Sequence, residues 1–351
     1  MARLWLEGVG ALALGAVIAS FAQTIASAQT DVCKNRGQLD TLYCDEDGDL
    51  VADLPRDAKR WRDPSTLILA YTPVEDPAVY QNIFRPFTDY LAQCAGKRVV
   101  YYPVQSNSAE IEAMRSGRLH VAAFATGPTA FAVNLAGAVP FAAIGNEMGP
   151  GGYTLISLVR RNSPFQKLAD LKGRRVAHTA PSSNSGHIAA LVLYPEQGLR
   201  PNEDYKPLMS GGHDKSVLGV ASGDYDMAGV ANTVFERMAA RGVVKSQDFR
   251  IIYESQLFPT ASLAHAHDLK PELAKKISDC FFAFRFTPEL TKEFNGRDRF
   301  VRISYKDDWA LVREIADKSG TPYNRAAYDK ETQREAAELA KKQLGPAQPK
   351  Q

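Results

Sequence analysis

The chain has 351 residues, 45% hydrophobic and 23% charged, an ordinary globular composition long enough for one large domain or two lobes with cores of their own. Its 42 basic and 40 acidic residues leave a formal charge of +2. With no basic run and no interleaving of basic and aromatic residues, a nucleic-acid-binding surface is excluded, and any anion site has to be local.

Residues 1–28 read as a signal peptide. Arg3 supplies a positive n-region beside Glu7, "GVGALALGAVIASFA" an apolar h-region, and Ala26-Ser27-Ala28 a small-residue cleavage site before Gln29. No long apolar stretch follows, and no cysteine stands directly after the cleavage site. The expectation is a soluble exported protein without a lipid anchor, periplasmic where the host has a periplasm. Four cysteines in an exported chain point to disulfides, with three pairings open. Cys33–Cys44, closing "CKNRGQLDTLYC", and Cys94–Cys280, a long-range tie, are the expected pairs; a buried thiol at Cys94 or Cys280 is the alternative.

Residues 29–64 form a polar N-terminal extension with little periodicity. Within it "DEDGDLVAD" sets Asp45, Asp47, Asp49 and Asp53 at spacings that resemble the calcium loops of thrombospondin type 3 repeats. Carboxylates at alternate positions can converge on a hard cation that wants six to eight oxygens. Leu50 stands where such loops have glycine, and Arg56 where a last acidic ligand is expected. Two readings stay open: a structural calcium site, or a solvated acidic loop stapled by its disulfide.

From Ser65 strands and helices alternate. "TLILAYTP" is a buried strand, "NIFRPFTDYLAQCAG" a helix, "RVVYYPV" a strand, and "SAEIEAMRSG" a helix closing on Gly117. "LHVAAFA" is a strand, "TAFAVNLAG" a helix, "VPFAAIG" a strand, and "GGYTLISLVRR" a long strand after the break at Gly149–Gly152. The same grammar recurs through "RRVAH", "KPLMSGGHDKSVLGVASG" and "YDMAGVANTVFERMAARG". "FRIIYESQLFPTASLAHA" makes a strand pair around Pro259, and "KPELAKKISDCFFAF" and "YKDDWALVREIADKSG" are helices. This is α/β organisation with a largely parallel sheet. It divides into lobe 1 (65–155), lobe 2 (156–255), a return to lobe 1 with C-terminal helices (256–333) and a flexible tail (334–351). Two extended hinge crossovers imply a central cleft, and the polar loops after "LAY", "AAFA", "RVAH" and "LMSG" all fall at strand ends, where open sheets bind ligands.

Four polar residues at one helix start, Ser182, Ser183, Asn184 and Ser185 in "HTAPSSNSGH", exceed what capping needs. Unpaired N–H groups and the positive end of the dipole there, surrounded by hydroxyls, suit a tetrahedral oxyanion without any lysine. "SGGHD" is a second strand-to-helix turn, with His213 as an anion donor and Asp214 capping the helix or orienting the ring. "ATGPT" offers Thr126 and Thr129 near a third helix start, and Tyr71 and Thr72 end the first strand. Ser183, His213 and Asp214 lack the G-x-S-x-G elbow of a hydrolase. "HAHD" at His265–Asp268 is a single histidine pair rather than a metal set. No P-loop or dinucleotide fingerprint is present.

In order, "STLILAYTPVEDPAVY", "EIEAMRSGRLHVAAFATGPTAF", "KLADLKGRRVAHTAPSSNSGH", "DYKPLMSGGHD" and "VASGDYDMAGV" resemble the phosphate/phosphite/phosphonate periplasmic binding proteins of ABC transporters, from about Ser65 to Arg302. The resemblance implies an α/β, two-lobe type II periplasmic-binding-protein fold whose cleft closes on the ligand, with no enzymatic activity and no cofactor. It carries the family's S-[ST]-x-S-G anion loop onto Ser182–Gly186 and its loop histidine onto His213. Asn184 stands where threonine is frequent, and Phe124 where an aromatic hydroxyl is often seen. Thr233 and the segment Thr260–Ser262 replace acidic residues that aminoalkylphosphonate binders use for the amine. The implied ligand is therefore a small oxyanion such as phosphate, phosphite or a simple phosphonate rather than 2-aminoethylphosphonate. The expected partners of the monomer are an ABC permease and its ATPase. The alternative is a membrane sensor kinase, docked through the acidic extension.

Overall fold

The computed structural model describes residues 33–330 together with Thr332 and Gln333. The expected signal peptide and most of the expected tail lie outside the described residues. Among the described residues no helix is long and apolar enough to cross a membrane.

Among the described residues twelve strands form two sheets. The first contains β1 (Thr66–Tyr71), β2 (Arg98–Tyr101), β3 (Val121–Phe124), β4 (Ala138–Asn146), β5 (Gly149–Pro150), β11 (Ser262–Ala266) and β12 (Arg299–Arg302), in the order β12-β4-β11-β3-β1-β2 with β5 on β4. The second contains β6 (Gly152–Arg160), β7 (Val176–His178), β8 (Leu208–Met209), β9 (Met227–Ala231) and β10 (Phe249–Pro259), in the order β10-β6-β9-β7-β8. The sheets are mixed rather than largely parallel. β1, β2 and β3 pair in parallel, as do β7, β8 and β9, whereas β4, β11 and β12 run antiparallel to their neighbours, as does the long β6–β10 pair. Strands joined through helices come out parallel, and the crossing segments fold back.

The chain passes between the sheets twice, at Gly151–Gly152 and at Pro259–Ala261. The crossings lie side by side: Pro259 faces Gly152 in the β6–β10 register, and the Thr260 N–H donates to Gly151 O at 3.3 Å.

One aromatic cluster anchors the first sheet. Phe87 packs its ring 4.6–5.0 Å from those of Phe281, Phe284 and Phe300. Cys94, on the helix Arg85–Ala95, is bonded to Cys280 on the helix Pro271–Ala283, so the tie spans the two helices carrying Phe87 and Phe281. Cys33 and Cys44 are also bonded, so both expected disulfides are present and the buried-thiol alternative is removed.

Two expected helices are broken. "NIFRPFTDYLAQCAG" belongs to two, Pro77–Ile83 and Arg85–Ala95, because Pro86 has no N–H to continue the first but suits the opening turn of the second. "YKDDWALVREIADKSG" divides at Trp309, whose fully buried indole donates to Thr126 O at 2.9 Å.

The N-terminal extension is a run of turns docked on this body. The Asp40 N–H donates to Asn134 O at 2.7 Å, Tyr43 meets His267 edge-on at 4.8 Å, and Lys306 Nζ donates to Gly48 O at 2.9 Å.

Candidate functional site: a cleft at converging helix starts

A cavity of about 80 Å³ lies between the two sheets, at the carboxyl ends of β1, β3, β7, β8 and β9. At roughly 10–15 Å³ for one water it has room for roughly half a dozen heavy atoms. Five helices begin at its wall: Asn107–Arg115, Thr126–Ala136, the turn Asn184–Ile188 that runs into Ala189–Glu196, His213–Ser222 and Asn232–Ala240. Each presents a first-turn residue: Asn107, Thr126, Asn184, His213 and Thr233. Helix starts carry N–H groups without intrahelical partners and a partial positive charge, so their convergence is favourable to an anion.

The "SSNSGH" wall opens as a wide turn rather than a regular helix. Ile188 N–H donates to Ser183 O, five residues back, and the helical turn begins at Asn184, inside the polar run. Ser183 caps it, its Oγ accepting from Gly186 N–H at 3.1 Å. Glycine is required here, since a Cβ at Gly186 would lie 1.8 Å from Thr179 Oγ1. A Cβ at Gly127, across the cleft, would lie 2.2 Å from Ser182 O. These two glycines let the turn and the Thr126 helix start approach each other.

His213 is buried, and its tautomer is fixed by the backbone. Ala231 N–H donates to Nδ1 at 3.1 Å, so the proton of the neutral ring sits on Nε2, which points toward Ser183 Oγ at 3.5 Å. Burial holds the imidazole down at about 4, so it is neutral at pH 7. The ring is therefore oriented by Ala231 and not by Asp214. Asp214 does not cap the helix either, since Gly212 occupies the cap position. No Ser–His–Asp relay exists.

Tyr153, just after the first crossing, brings its hydroxyl into the same wall. Asn184 Nδ2 donates to it at 3.1 Å, and Thr126 and Ser185 also hydrogen-bond to it. Burial raises its phenol above the ordinary value against those bonds, keeping it protonated. Asn184 Oδ1 and Thr179 Oγ1 are buried without a hydrogen-bond partner.

Arg237 is the cation on the cavity wall, and it is compensated. Its Nη2 meets Glu75 Oε1 at 2.7 Å and its Nε lies 3.6 Å from Glu293; Arg241 also pairs with both carboxylates. Burial alone would raise the Glu75 carboxyl, yet Arg237 and Arg241 hold it below its ordinary value. Two arginines and two glutamates leave the cleft without net formal charge. Glu75 follows β1 and Arg237 follows β9, so this cluster and the Asn107 Nδ2–Ser182 Oγ bond (3.0 Å) both bridge the cleft.

Of the residues expected from sequence, Tyr71, Thr72, Thr126, Ser183, Asn184, Ser185 and His213 line the cavity. Ser182 stands behind it, accepting from Asn107. Thr129 is fully buried, its Oγ1 donating toward Phe124 O and Ala125 O and meeting Ser262 Oγ at 2.9 Å; it is part of the scaffold. Asn107, Tyr153, Thr179 and Arg237 were not anticipated. For Tyr153 a clue was present: an aromatic hydroxyl opens a strand just after "GPGG". The "HAHD" histidines are also structural, with His265 Nδ1 on Ala266 O and Asp268 paired to Arg62.

Two mixed sheets, paired crossings and a cleft at the strand ends are the fold of the type II periplasmic binding proteins. Residues 69–309 match the ABC transporter, phosphonate, periplasmic substrate-binding protein family, and the chain belongs to it. It is thus a substrate-binding protein, not an enzyme, of the extracytoplasmic kind, and its two disulfides agree. Among curated relatives, the phosphate-import protein PhnD of Mycolicibacterium smegmatis is 27% identical over 71% of this chain and 81% of its own. The phosphonates-binding periplasmic protein of Escherichia coli is 23% identical over 71% and 72%. In fold the chain is similar to PhnD1 of Prochlorococcus marinus in complex with methylphosphonate (TM-score 0.66, 18% identity, 74% of this chain and 99% of that one). A binding protein component of an ABC phosphonate transporter from Pseudomonas aeruginosa is equally similar (TM-score 0.66, 20% identity, 80% and 100%).

Proposed function

We propose that this chain, exported to the periplasm by cleavage after Ala28, captures phosphate, phosphite or a simple alkylphosphonate and delivers it to an ABC permease and its ATPase. The observation that carries the reading is the convergence of five helix starts on a small cavity whose one arginine is neutralised by Glu75. Hydroxyls of Tyr71, Thr72, Ser183, Ser185 and Tyr153, the amide of Asn107 and the Nε2–H of His213 then hold the oxygens. Thr126 and Ser182 position their neighbours. Lobe closure excludes water and strengthens each of these bonds by lowering the local dielectric.

A neutral socket selects by shape and proton count rather than by charge. Asn184 gains a role here: its unpartnered Oδ1 is an acceptor for the proton of a P–OH group, which sulfate and sulfonates lack at neutral pH. An ammonium finds no carboxylate, because Glu75 is held by two arginines and threonines stand at 233 and 260. The phosphate-import name of the mycobacterial relative supports the same ligand class.

The test is uptake. Deleting the gene in its host should abolish high-affinity uptake of labelled phosphate, phosphite or methylphosphonate, and affinity purification should recover the permease. Recovery of a sensor kinase with uptake intact would replace importer by sensor, with the same pocket.

A further inference from the structure

Outside the cleft, a second polar cluster stands on the N-terminal extension. Asp45, Asp47 and Asp49 each turn one carboxylate oxygen to a common point, the three oxygens lying within 4.8 Å of one another. Asp47 and Asp49 are held there by backbone bonds, Asp47 Oδ1 accepting from Asp49 N–H and Asp49 Oδ1 from Val51 N–H. Asp45 has no such bond at one oxygen: it is 1% exposed, and its Oδ1 is buried with no hydrogen-bond partner. An ionised oxygen in that position is costly unless a cation meets it.

We propose that Asp45, Asp47 and Asp49 hold one calcium ion; Asp53, expected from its spacing, lies outside the cluster and accepts instead from Glu46 N–H at 2.8 Å. The donors are all oxygens, and the only cysteines near, Cys33 and Cys44, are consumed by their disulfide, so the set suits a hard cation and not a soft one. An irregular loop accommodates the variable coordination of calcium, whereas magnesium demands a near-octahedral shell and sheds its water reluctantly.

The local backbone is built for this convergence. Leu50 has φ of 70°, the left-handed region that favours glycine, so it takes the turn without the usual residue. Its side chain packs against the core, which offsets the strain. Arg56 pairs with Glu46, and Lys306 Nζ donates to the Gly48 carbonyl within the loop. Since Gly48 O and Asp40 tie the extension to the body, the ion would fix residues 33–63 against it. This inference is independent of what the cleft binds.

Calcium titration of chelator-treated protein, followed by calorimetry and melting, decides the matter. One ion per chain is expected, with Kd between about 10⁻⁵ and 10⁻³ M, and a melting temperature that rises with calcium. Asp45→Asn and Asp49→Asn should each weaken it by about tenfold or more, since affinity follows the number of charged ligands. Hydrogen exchange in residues 33–63 should quicken in chelator while oxyanion affinity stays the same. No calcium binding up to about 10 mM, above the range of extracellular sites, overturns the proposal, as does unchanged affinity in Asp49→Asn. That variant changes an exposed residue and decides the matter even where Asp45→Asn does not fold.

Discussion

The cleft and the acidic loop gather polar groups by opposite means. The loop concentrates formal charge within nine consecutive residues, Asp45 to Asp53, and its sign is plain from the side chains. The cleft has no net formal charge, and its preference for anions comes from the backbone, through five helix starts delivered by two sheets. Formal charge on neighbouring residues of one loop acts locally, whatever the rest of the fold does. Oriented dipoles make one that exists only when the whole fold is assembled, and that distinguishes ligands by hydrogen-bonding pattern.

The largest expected effect comes from breaking the neutrality of the cleft. Glu75→Gln leaves Arg237 buried without its closest counter-charge, and removing one partner of a buried pair costs about 3–5 kcal/mol. Denaturant unfolding reads this loss directly. A change close to zero would mean that the cluster does not hold the two sides together.

Next come the donors. His213→Ala and Ser183→Ala should each weaken oxyanion binding by about 1.5–3 kcal/mol, the range for hydrogen bonds to a charged group. Equal affinity in both variants would move the pocket elsewhere.

Acid sharpens the comparison further. Unfolded histidine takes up a proton near pH 6.5, but folded His213 refuses it until about pH 4. Its contribution to stability is therefore complete above pH 6.5 and is lost as pH falls toward 4. His120 and His267 are also held at about 4, so the readout is a difference. Between pH 6.5 and 4, His213→Asn should lose stability less steeply than the parent. Parallel curves would show that His213 titrates freely.

The smallest effect falls on the scaffold. Thr129→Val removes a buried hydroxyl that bonds within the β3 turn and to Ser262, and should cost about 1 kcal/mol of stability. Oxyanion affinity should not move; a drop there would restore Thr129 to the site.

These contrasts also explain what could be read in the sequence. Ser183, Asn184, Ser185 and His213 were legible because a strand-to-helix turn with too many polar residues is a local pattern. The acidic loop was legible for the same reason, through its alternate spacing. Asn107 and Arg237 were not, because nothing near them in the chain marks them, and Tyr153 was marked only by its place after the glycine-rich break. Asn107 faces Ser182, and Arg237 meets Glu75, only after β1 and the second sheet have come together. Thr129 misled because a threonine in the first turn of a helix beside the cleft can point either way; the short β3 connection turns it inward. The mixed sheets were hidden for a related reason. Alternation of strands and helices fixes the class but not the direction in which crossing strands return.

The central claim is that the cleft binds a small phosphorus oxyanion. It is tested most directly by calorimetric titration of ligand-stripped protein with phosphate, phosphite, methylphosphonate, 2-aminoethylphosphonate and sulfate. At least one of the first three should bind with Kd well below about 1 mM, corresponding to more than about 4 kcal/mol, while 2-aminoethylphosphonate and sulfate bind far more weakly. No heat from any of the three, or sulfate binding as tightly as they do, would contradict it.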